Sequence, residues 1–155
     1  MIAAQEDDID RAMAIMESAF DSRWGEAWTR RQLSDAMMMP HTALQLVAAG
    51  GTPPAEGAPA AGFALSKSIA GEVELLLIAV RPEYRRSGLG GTLLDDLIAH
   101  AREDGAESVF LEMRENNPAL ALYRQRGFAP VGRRKAYYRL PDGKFLDAVT
   151  FALAL

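Results

Sequence analysis

The chain has 155 residues, of which 49% are hydrophobic and 25% charged, with a formal net charge of −4 and no cysteine. This composition is typical of a globular protein with one core, and it excludes a disulfide framework and a cysteine nucleophile. The negative charge disfavours a nucleic-acid binder, which usually carries a basic excess. The acidic start MIAAQEDDID is unlike a signal peptide, and no apolar run reaches the roughly 20 residues of a membrane span. We therefore expect a cytoplasmic protein with a single domain over residues 1–155.

The first third of the chain predicts a short strand at 1–5, two helices and a further strand. DDIDRAMAIMESAF places apolar residues at helical spacing. After the connection DSRWGEAW, TRRQLSDAMMM predicts a helix that begins at Thr29 and ends before Pro40. TALQLVAA predicts a strand, and GGTPPAEGAPAAG, residues 50–62, predicts a flexible loop to the next strand. A linker between two domains is the alternative for this loop, but the part before it is too short for a stable domain.

The remainder of the chain predicts a sheet with two more helices. FALSKSI and EVELLLIAV predict two strands, and the apolar run from Leu75 to Val80 is typical of a central strand covered on both faces. A helix runs from Leu89 to about Asp104 and ends at Gly105. ESVFLEMR predicts a strand, NPALALYRQRG a helix, and FAPVGRRKAYYRL with KFLDAVTFALAL a closing hairpin. The order predicts an α/β (α+β) fold, with a mixed sheet of about six to seven strands flanked by about four helices.

The segment RRSGLGGT, residues 85–92, joins the apolar strand to the long helix. Glycines let the backbone approach a ligand, and a helix start offers unpaired N–H groups and a positive dipole end. Such a junction suits a phosphate or pyrophosphate, with Arg85 and Arg86 adding charge-assisted bonds. The segment lacks the Lys-Ser/Thr of a P-loop and does not fit G-x-G-x-x-G. A glycine-rich turn with solvated arginines is the alternative.

Two blocks resemble the GNAT N-acetyltransferase family. Arg85-x-x-Gly88-x-Gly90 after LLLIAV is similar to the family's acetyl-CoA signature, Q/R-x-x-G-x-G/A. NNPALALYRQRGF, residues 116–128, is similar to the family's N-x-x-A-x-x-L-Y-x-x-x-G-F segment. Within the family the chain most resembles the RimI-type ribosomal-protein alanine N-acetyltransferases, through WGEAWTRRQL, FLEMR, and RRKAYY followed by DGKFLDAVTFAL.

The resemblance implies a GNAT fold over nearly the whole chain and transfer of acetyl from acetyl-CoA, with CoA as product. The implied acceptor is a protein N-terminal α-amine, specifically a small-subunit ribosomal protein that begins with alanine. The resemblance also implies which residues bind the cofactor: Ile78, Ala79, Val80, Arg85, Arg86, Ser87, Gly88, Leu89, Gly90, Gly91, Thr92, Asn116 and Tyr123.

Acetyl transfer to an amine requires a neutral nucleophile, and an α-amine, with a pKa of about 7.7–8.0, needs less help than a lysine at about 10.4. Glu112, a carboxylate in the apolar strand SVFLEM, is the candidate base, in agreement with the resemblance. Glu74 on VELLLIAV is the rival base, or holds the acceptor amine. Tyr123 is the candidate acid that protonates the departing thiolate. The alternatives are solvated strand charges for the glutamates and a packed aromatic for Tyr123.

One spacing departs from the RimI-type pattern. These sequences usually carry five steps from the glutamate to the asparagine, whereas Glu112 and Asn116 are four steps apart. Asn117 restores the five steps but shortens the distance to Tyr123. Both asparagines therefore remain candidates for the cofactor-binding position.

The resemblance also implies an acceptor groove on the side of the first two helices. Trp24 and Trp28 are candidates for its wall, with plain packing as the alternative. One of Tyr137 and Tyr138 is expected to touch the acceptor, because neighbouring strand residues face opposite sides. Arg133-Arg134-Lys135 predicts a solvated hairpin face, or a surface that steers an acidic partner.

Two other functions remain open at this point. One is acetylation of a small-molecule amine such as a polyamine, an amino acid or an aminoglycoside. The other is a non-catalytic module that senses acyl-CoA. No metal is expected, because His41 and His100 are far apart and have no companion ligands. We expect a monomer or weak dimer, with no nucleic-acid or membrane partner.

Overall fold

The structure, a computed structural model, describes residues 6–20 and 26–155. The strand expected at 1–5 and the side chain of Trp24 lie outside the described residues. The described part of the chain forms one mixed sheet of six strands with four α-helices, which confirms the predicted fold class.

The elements follow the predicted order along the chain. In sequence they are α1 (Glu6–Ala19), α2 (Arg30–Met38), β1 (Thr42–Val47), β2 (Gly62–Ile69), β3 (Glu72–Val80), a 3₁₀ turn (Pro82–Tyr84), α3 (Leu89–Glu103), β4 (Ser108–Arg114), α4 (Leu120–Gln125), β5 (Ala129–Arg139) and β6 (Phe145–Ala154).

The predicted helix ends coincide with local capping bonds. Thr29 begins α2 with a capping box: its Oγ1 accepts from the Gln32 N–H at 3.2 Å, and Gln32 Oε1 accepts from the Thr29 N–H at 2.7 Å. Gly105 follows the last turn of α3 with a φ of 75°, the left-handed conformation that suits glycine.

The strands lie in the order β1-β2-β3-β4-β6-β5. Among the described strands, β3 and β4 form a parallel pair and the other neighbours are antiparallel. The parallel pairing covers three residues of each strand and ends at Glu74 opposite Phe110. Both strands continue beyond that point, to Val80 and Arg114. The sheet is therefore split between β3 and β4, and a cleft opens there.

A bulge in β3 changes which face each of its residues covers. β2 pairs Leu65 with Leu77 and Ser66 with Leu75, so that Leu76 is an extra residue. Before the bulge Val73 and Leu75 pack in the core beneath α3, and after it Leu77 and Ala79 pack in the core beneath α1 and α2. The continuously apolar sequence of β3 thus serves both faces of the sheet.

The two cores cover opposite faces of the sheet. Leu93 and Leu94 of α3 pack in one core with strand residues such as Val109. Ile15 of α1 and Leu33 of α2 pack in the other. Within residues 6–20 and 26–155, no helix has both the length and the apolar character needed to cross a membrane.

Candidate active site

A cleft of about 650 Å³ lies where β3 and β4 part. Most of the cofactor-binding residues predicted from the sequence line it: Ile78, Ala79, Val80, Arg85, Arg86, Gly88, Leu89, Gly90, Gly91 and Tyr123. Ser87, Thr92 and Asn116 are not among its lining residues. Ser87 Oγ donates to the carbonyl of Tyr84, and Thr92 Oγ1 donates to the carbonyl of Gly88 at 3.2 Å. These two hydroxyls therefore stabilise the turn through hydrogen bonds to its own backbone.

The turn before α3 presents its backbone to the cleft. Gly88 is the N-cap of α3, with a φ of 84°, and it provides no side chain to cap the helix. The N–H groups of the first helical turn, at Leu89, Gly90 and Gly91, lack partners within the helix. These N–H groups lie at the N-terminal end of α3, which carries the partial positive charge of the helix dipole. This end of the cleft is therefore suited to an anion.

Gly91, in the first turn of α3, lies against the side chain of Arg126. It is buried, and a Cβ at this position would collide with the guanidinium of Arg126. Arg126 is fixed by Asp95, with Nε 2.7 Å from Oδ1, and by the carbonyl of Leu122 at 3.2 Å. The absence of a side chain at Gly91 thus leaves room for the Arg126 guanidinium against α3.

The two candidate bases lie on the same face of the split sheet. Glu74 is the last residue of β3 paired with β4, opposite Phe110, and Glu112 lies two residues further along β4. Burial raises the pKa of Glu74, Lys67 opposes the rise, and the charge of Glu112 adds to it. The two carboxylates are therefore close enough to interact electrostatically. Both lie near the end of the parallel pairing between β3 and β4.

Tyr123 of α4 lines the cleft and packs in the core beneath α3, on the other face of the sheet from the two glutamates. The residue is only 4% exposed, and its ring makes an edge contact with Phe128, with 5.7 Å between ring centres. Burial raises the pKa of Tyr123 well above its ordinary value, and the negative charge of Glu26 adds to the rise. The phenol therefore stays protonated, as a proton donor must.

A partly buried ion pair that sequence reasoning missed lines the cleft near Tyr123. Arg114 Nε lies 3.2 Å from Glu26 Oε1, and the Arg114 side chain is 7% exposed. Arg114 Nη1 also donates to the carbonyl of Asn116 at 3.0 Å and to its Oδ1 at 2.6 Å. In the sequence, an arginine at the end of the apolar segment FLEMR indicates that this side chain needs an anionic partner. Nothing local identifies Glu26, which lies 88 residues away.

Of the two candidate asparagines, Asn117 lines the cleft and Asn116 does not. The Oδ1 of Asn117 accepts from the Ala119 N–H at 2.9 Å and so forms a turn. This turn delays the start of α4 to Leu120, which is why the helix is shorter than the predicted NPALALYRQRG.

The predicted acceptor residues lie on the face of the sheet that α1 and α2 cover, and on the β5–β6 hairpin. Trp28 is half-buried and packs against the core of α1 and α2. Tyr138 is half-buried; burial raises its pKa to about 12, and Glu112 and Glu26 add to the rise. Tyr137 is exposed and meets Tyr138 edge-on at 5.2 Å. Tyr138 therefore lies within electrostatic range of Glu112 and Glu26.

Comparisons with known proteins agree with this geometry. The family described as acetyltransferase (GNAT) matches residues 9–128. The [ribosomal protein bS18]-alanine N-acetyltransferases of Haemophilus influenzae and Escherichia coli are both 40% identical, over 94 and 96 residues. Each alignment covers 61% of this chain and 64% of the relative.

The crystal structure of the ribosomal-protein-S18-alanine N-acetyltransferase from Escherichia coli superposes with a TM-score of 0.80 and 29% identity, covering 99% of this chain and 91% of that one. The likeness thus extends beyond the aligned sequence blocks to the whole fold. The family match spans most of the chain, from α1 to the end of α4. The chain belongs to the GNAT acetyltransferase family.

Proposed function

We propose that the protein transfers an acetyl group from acetyl-CoA to the N-terminal α-amine of a protein. Its proposed acceptor is a ribosomal protein that begins with alanine, the activity for which its relatives are named. The observation that carries the proposal is the cleft between the parted strands, which has an anion-binding turn at α3 and the protonated Tyr123 along its wall.

The residues of the cleft suit acetyl-CoA. The first-turn N–H groups after Gly88, with Arg85 and Arg86, would hold the pyrophosphate. Beyond Glu74 the edge of β3 is not paired with β4, so that Ile78, Ala79 and Val80 can pair with the amides of the pantetheine chain. Bound there, acetyl-CoA supplies an acetyl group activated as a thioester.

Side chains on the two faces of the sheet divide the proton transfers in this proposal. Glu112 accepts a proton from the acceptor amine, and Glu74 lies on the same face as the second candidate. Tyr123 donates its proton to the departing thiolate sulfur. An α-amine suits these groups better than a lysine, because with a pKa of about 7.7–8.0 it is already partly neutral at pH 7.

The test is a thiol-release assay with acetyl-CoA against a panel of amines. The panel holds peptides that begin with alanine or serine, an N-blocked peptide with one lysine, and spermidine. We expect turnover on the free N-terminal peptides, with alanine preferred, and none on the blocked peptide. Turnover on spermidine alone would move the function to small molecules, and acetyl-CoA binding without any turnover would favour a sensor.

A further inference from the structure

Arg134 of β5 is bound to the candidate base. Its Nε lies 3.3 Å from Glu112 Oε2, although 62% of its side chain is exposed. The guanidinium also lies 5.0 Å above the centre of the Tyr137 ring. Because β6 separates β5 from β4, the side chain spans a whole strand to reach the carboxylate. The Arg134 guanidinium is thus paired with the Glu112 carboxylate, the proposed base of the reaction.

The register of the three strands explains how Arg134 reaches Glu112. One row across the sheet is Glu112, Thr150 and Gly132, and the next row is Arg114, Ala148 and Arg134. Residues within a row face the same side of the sheet. Gly132 has no side chain and Ala148 has only a methyl group. The long Arg134 side chain can therefore lie diagonally across the sheet to the carboxylate.

We propose that Arg134 forms an ion pair with Glu112 in the free protein. The N-terminal ammonium of the acceptor then displaces the Arg134 guanidinium from Glu112. The inference rests on the proposed function. An ammonium and a guanidinium compete for one carboxylate, because both are cations that donate N–H bonds. Once the ammonium is bound, one proton passes from its nitrogen to a Glu112 oxygen and leaves a neutral amine. Arg134 is thus a positioning residue that sets acceptor affinity and takes no part in the transfer.

The other groups around Glu112 keep the site acidic when Arg134 leaves it. Glu74 of β3 adds negative charge on the same face, partly balanced by Lys67 of β2. Glu26, from the segment before α2, is paired with Arg114, the next residue along this face of β4. Tyr138 of β5 stays neutral near both Glu112 and Glu26, with a pKa of about 12. Release of Arg134 therefore leaves a site that attracts a cation.

The test compares the kinetics of Arg134→Met, Lys135→Met and the wild type on an alanine-starting peptide at saturating acetyl-CoA. Methionine keeps a long, unbranched side chain at this position and removes the cation, together with its contact over the Tyr137 ring. Lys135 is the matched control: it is an exposed cation on the same strand, next to Arg134, and has no ion pair among those described. An exposed ion pair is worth up to about 1 kcal/mol, which corresponds to about a fivefold change.

We expect Arg134→Met to lower the KM for the peptide about two- to fivefold without lowering kcat, whereas Lys135→Met leaves both close to wild type. The gain should shrink at high salt, because screening weakens the competing ion pair in the wild type. A KM equal to that of the wild type, or raised, would overturn the proposal, as would an equal gain in Lys135→Met. A wild type inactive on every N-terminal peptide would instead overturn the proposed function, and this inference with it.

Discussion

The cleft beside β3 and the acidic groups beside β5 are assembled in different ways. The turn suited to an anion comes from one contiguous segment, residues 85–92, in which Ser87 and Thr92 bond to nearby carbonyls, although the Arg85 side chain also donates to the carbonyl of Ala19. The acidic site draws Glu26, Glu74, Glu112 and Arg134 from separate elements. Neighbouring residues therefore shape the turn that we propose for the cofactor, whereas the packing of distant elements determines which charged groups surround Glu112, the proposed base.

Isosteric changes at the two carboxylates test the acceptor side of this comparison. We expect Glu112→Gln to lower kcat about 10²- to 10⁴-fold, the usual contribution of a general base, and Glu74→Gln to lower it less. Steady-state kinetics measures both, and calorimetry with acetyl-CoA provides the control, since neither glutamate lines the cleft. A larger loss in Glu74→Gln would make Glu74 the base.

A charge at Gly90 tests the cofactor side. Gly90 lines the cleft and has no positive φ, and a Cβ there would meet Leu122 at an ordinary 3.5 Å. Gly90→Glu should weaken acetyl-CoA binding about 100-fold or more through like-charge repulsion, while Gly90→Ala binds close to normally. Calorimetry measures the affinities, and circular dichroism checks the fold. Normal binding by a folded Gly90→Glu variant would mean that the turn does not hold the pyrophosphate.

The Glu26–Arg114 ion pair connects the segment before α2 to β4, and its removal tests how much this connection stabilises the fold. Glu26→Gln removes the carboxylate that lies 3.2 Å from Arg114 Nε, whose side chain is mostly buried, at a cost of about 1–3 kcal/mol in the free energy of unfolding. Urea denaturation measures that loss. Glu72→Gln, on an exposed carboxylate at the start of β3, is the matched control. Equal stability of the two variants would show that the Glu26–Arg114 pair does not fasten the segment before α2 to β4.

The smallest effect is expected on the β5–β6 hairpin. The Ala136 N–H donates to Asp147, Arg133 also bonds to it, and both lower the pKa of this carboxylate. A lowered folded-state pKa contributes stability above the unfolded value of about 3.9, and the contribution is lost as the pH falls through the folded value. Asp147→Asn should therefore lower Tm slightly at pH 7 and not at the acid end. An equal loss of Tm at every pH would contradict this electrostatic role.

Sequence patterns predicted the elements that depend on near neighbours. Thr29 and Gly105 marked helix ends because caps involve residues a few positions away. The bulge at Leu76 could not be predicted, because an unbroken apolar run has no alternation to reveal a change of face. For Arg134 the sequence indicates a solvated hairpin charge or one that steers an acidic partner, because its contact with Glu112 depends on the pairing of three strands. The site was thus predictable in its residue types and not in its ion pairs.

The most direct test of acetyl transfer to a protein N-terminus uses one peptide with both kinds of amine, an N-terminal alanine and an internal lysine. The peptide is incubated with the protein and acetyl-CoA, and tandem mass spectrometry locates the added acetyl group. We predict acetylation of the alanine α-amine alone, absent when Glu112→Gln replaces the wild type. Acetylation of the lysine with the α-amine left free would contradict the proposed function.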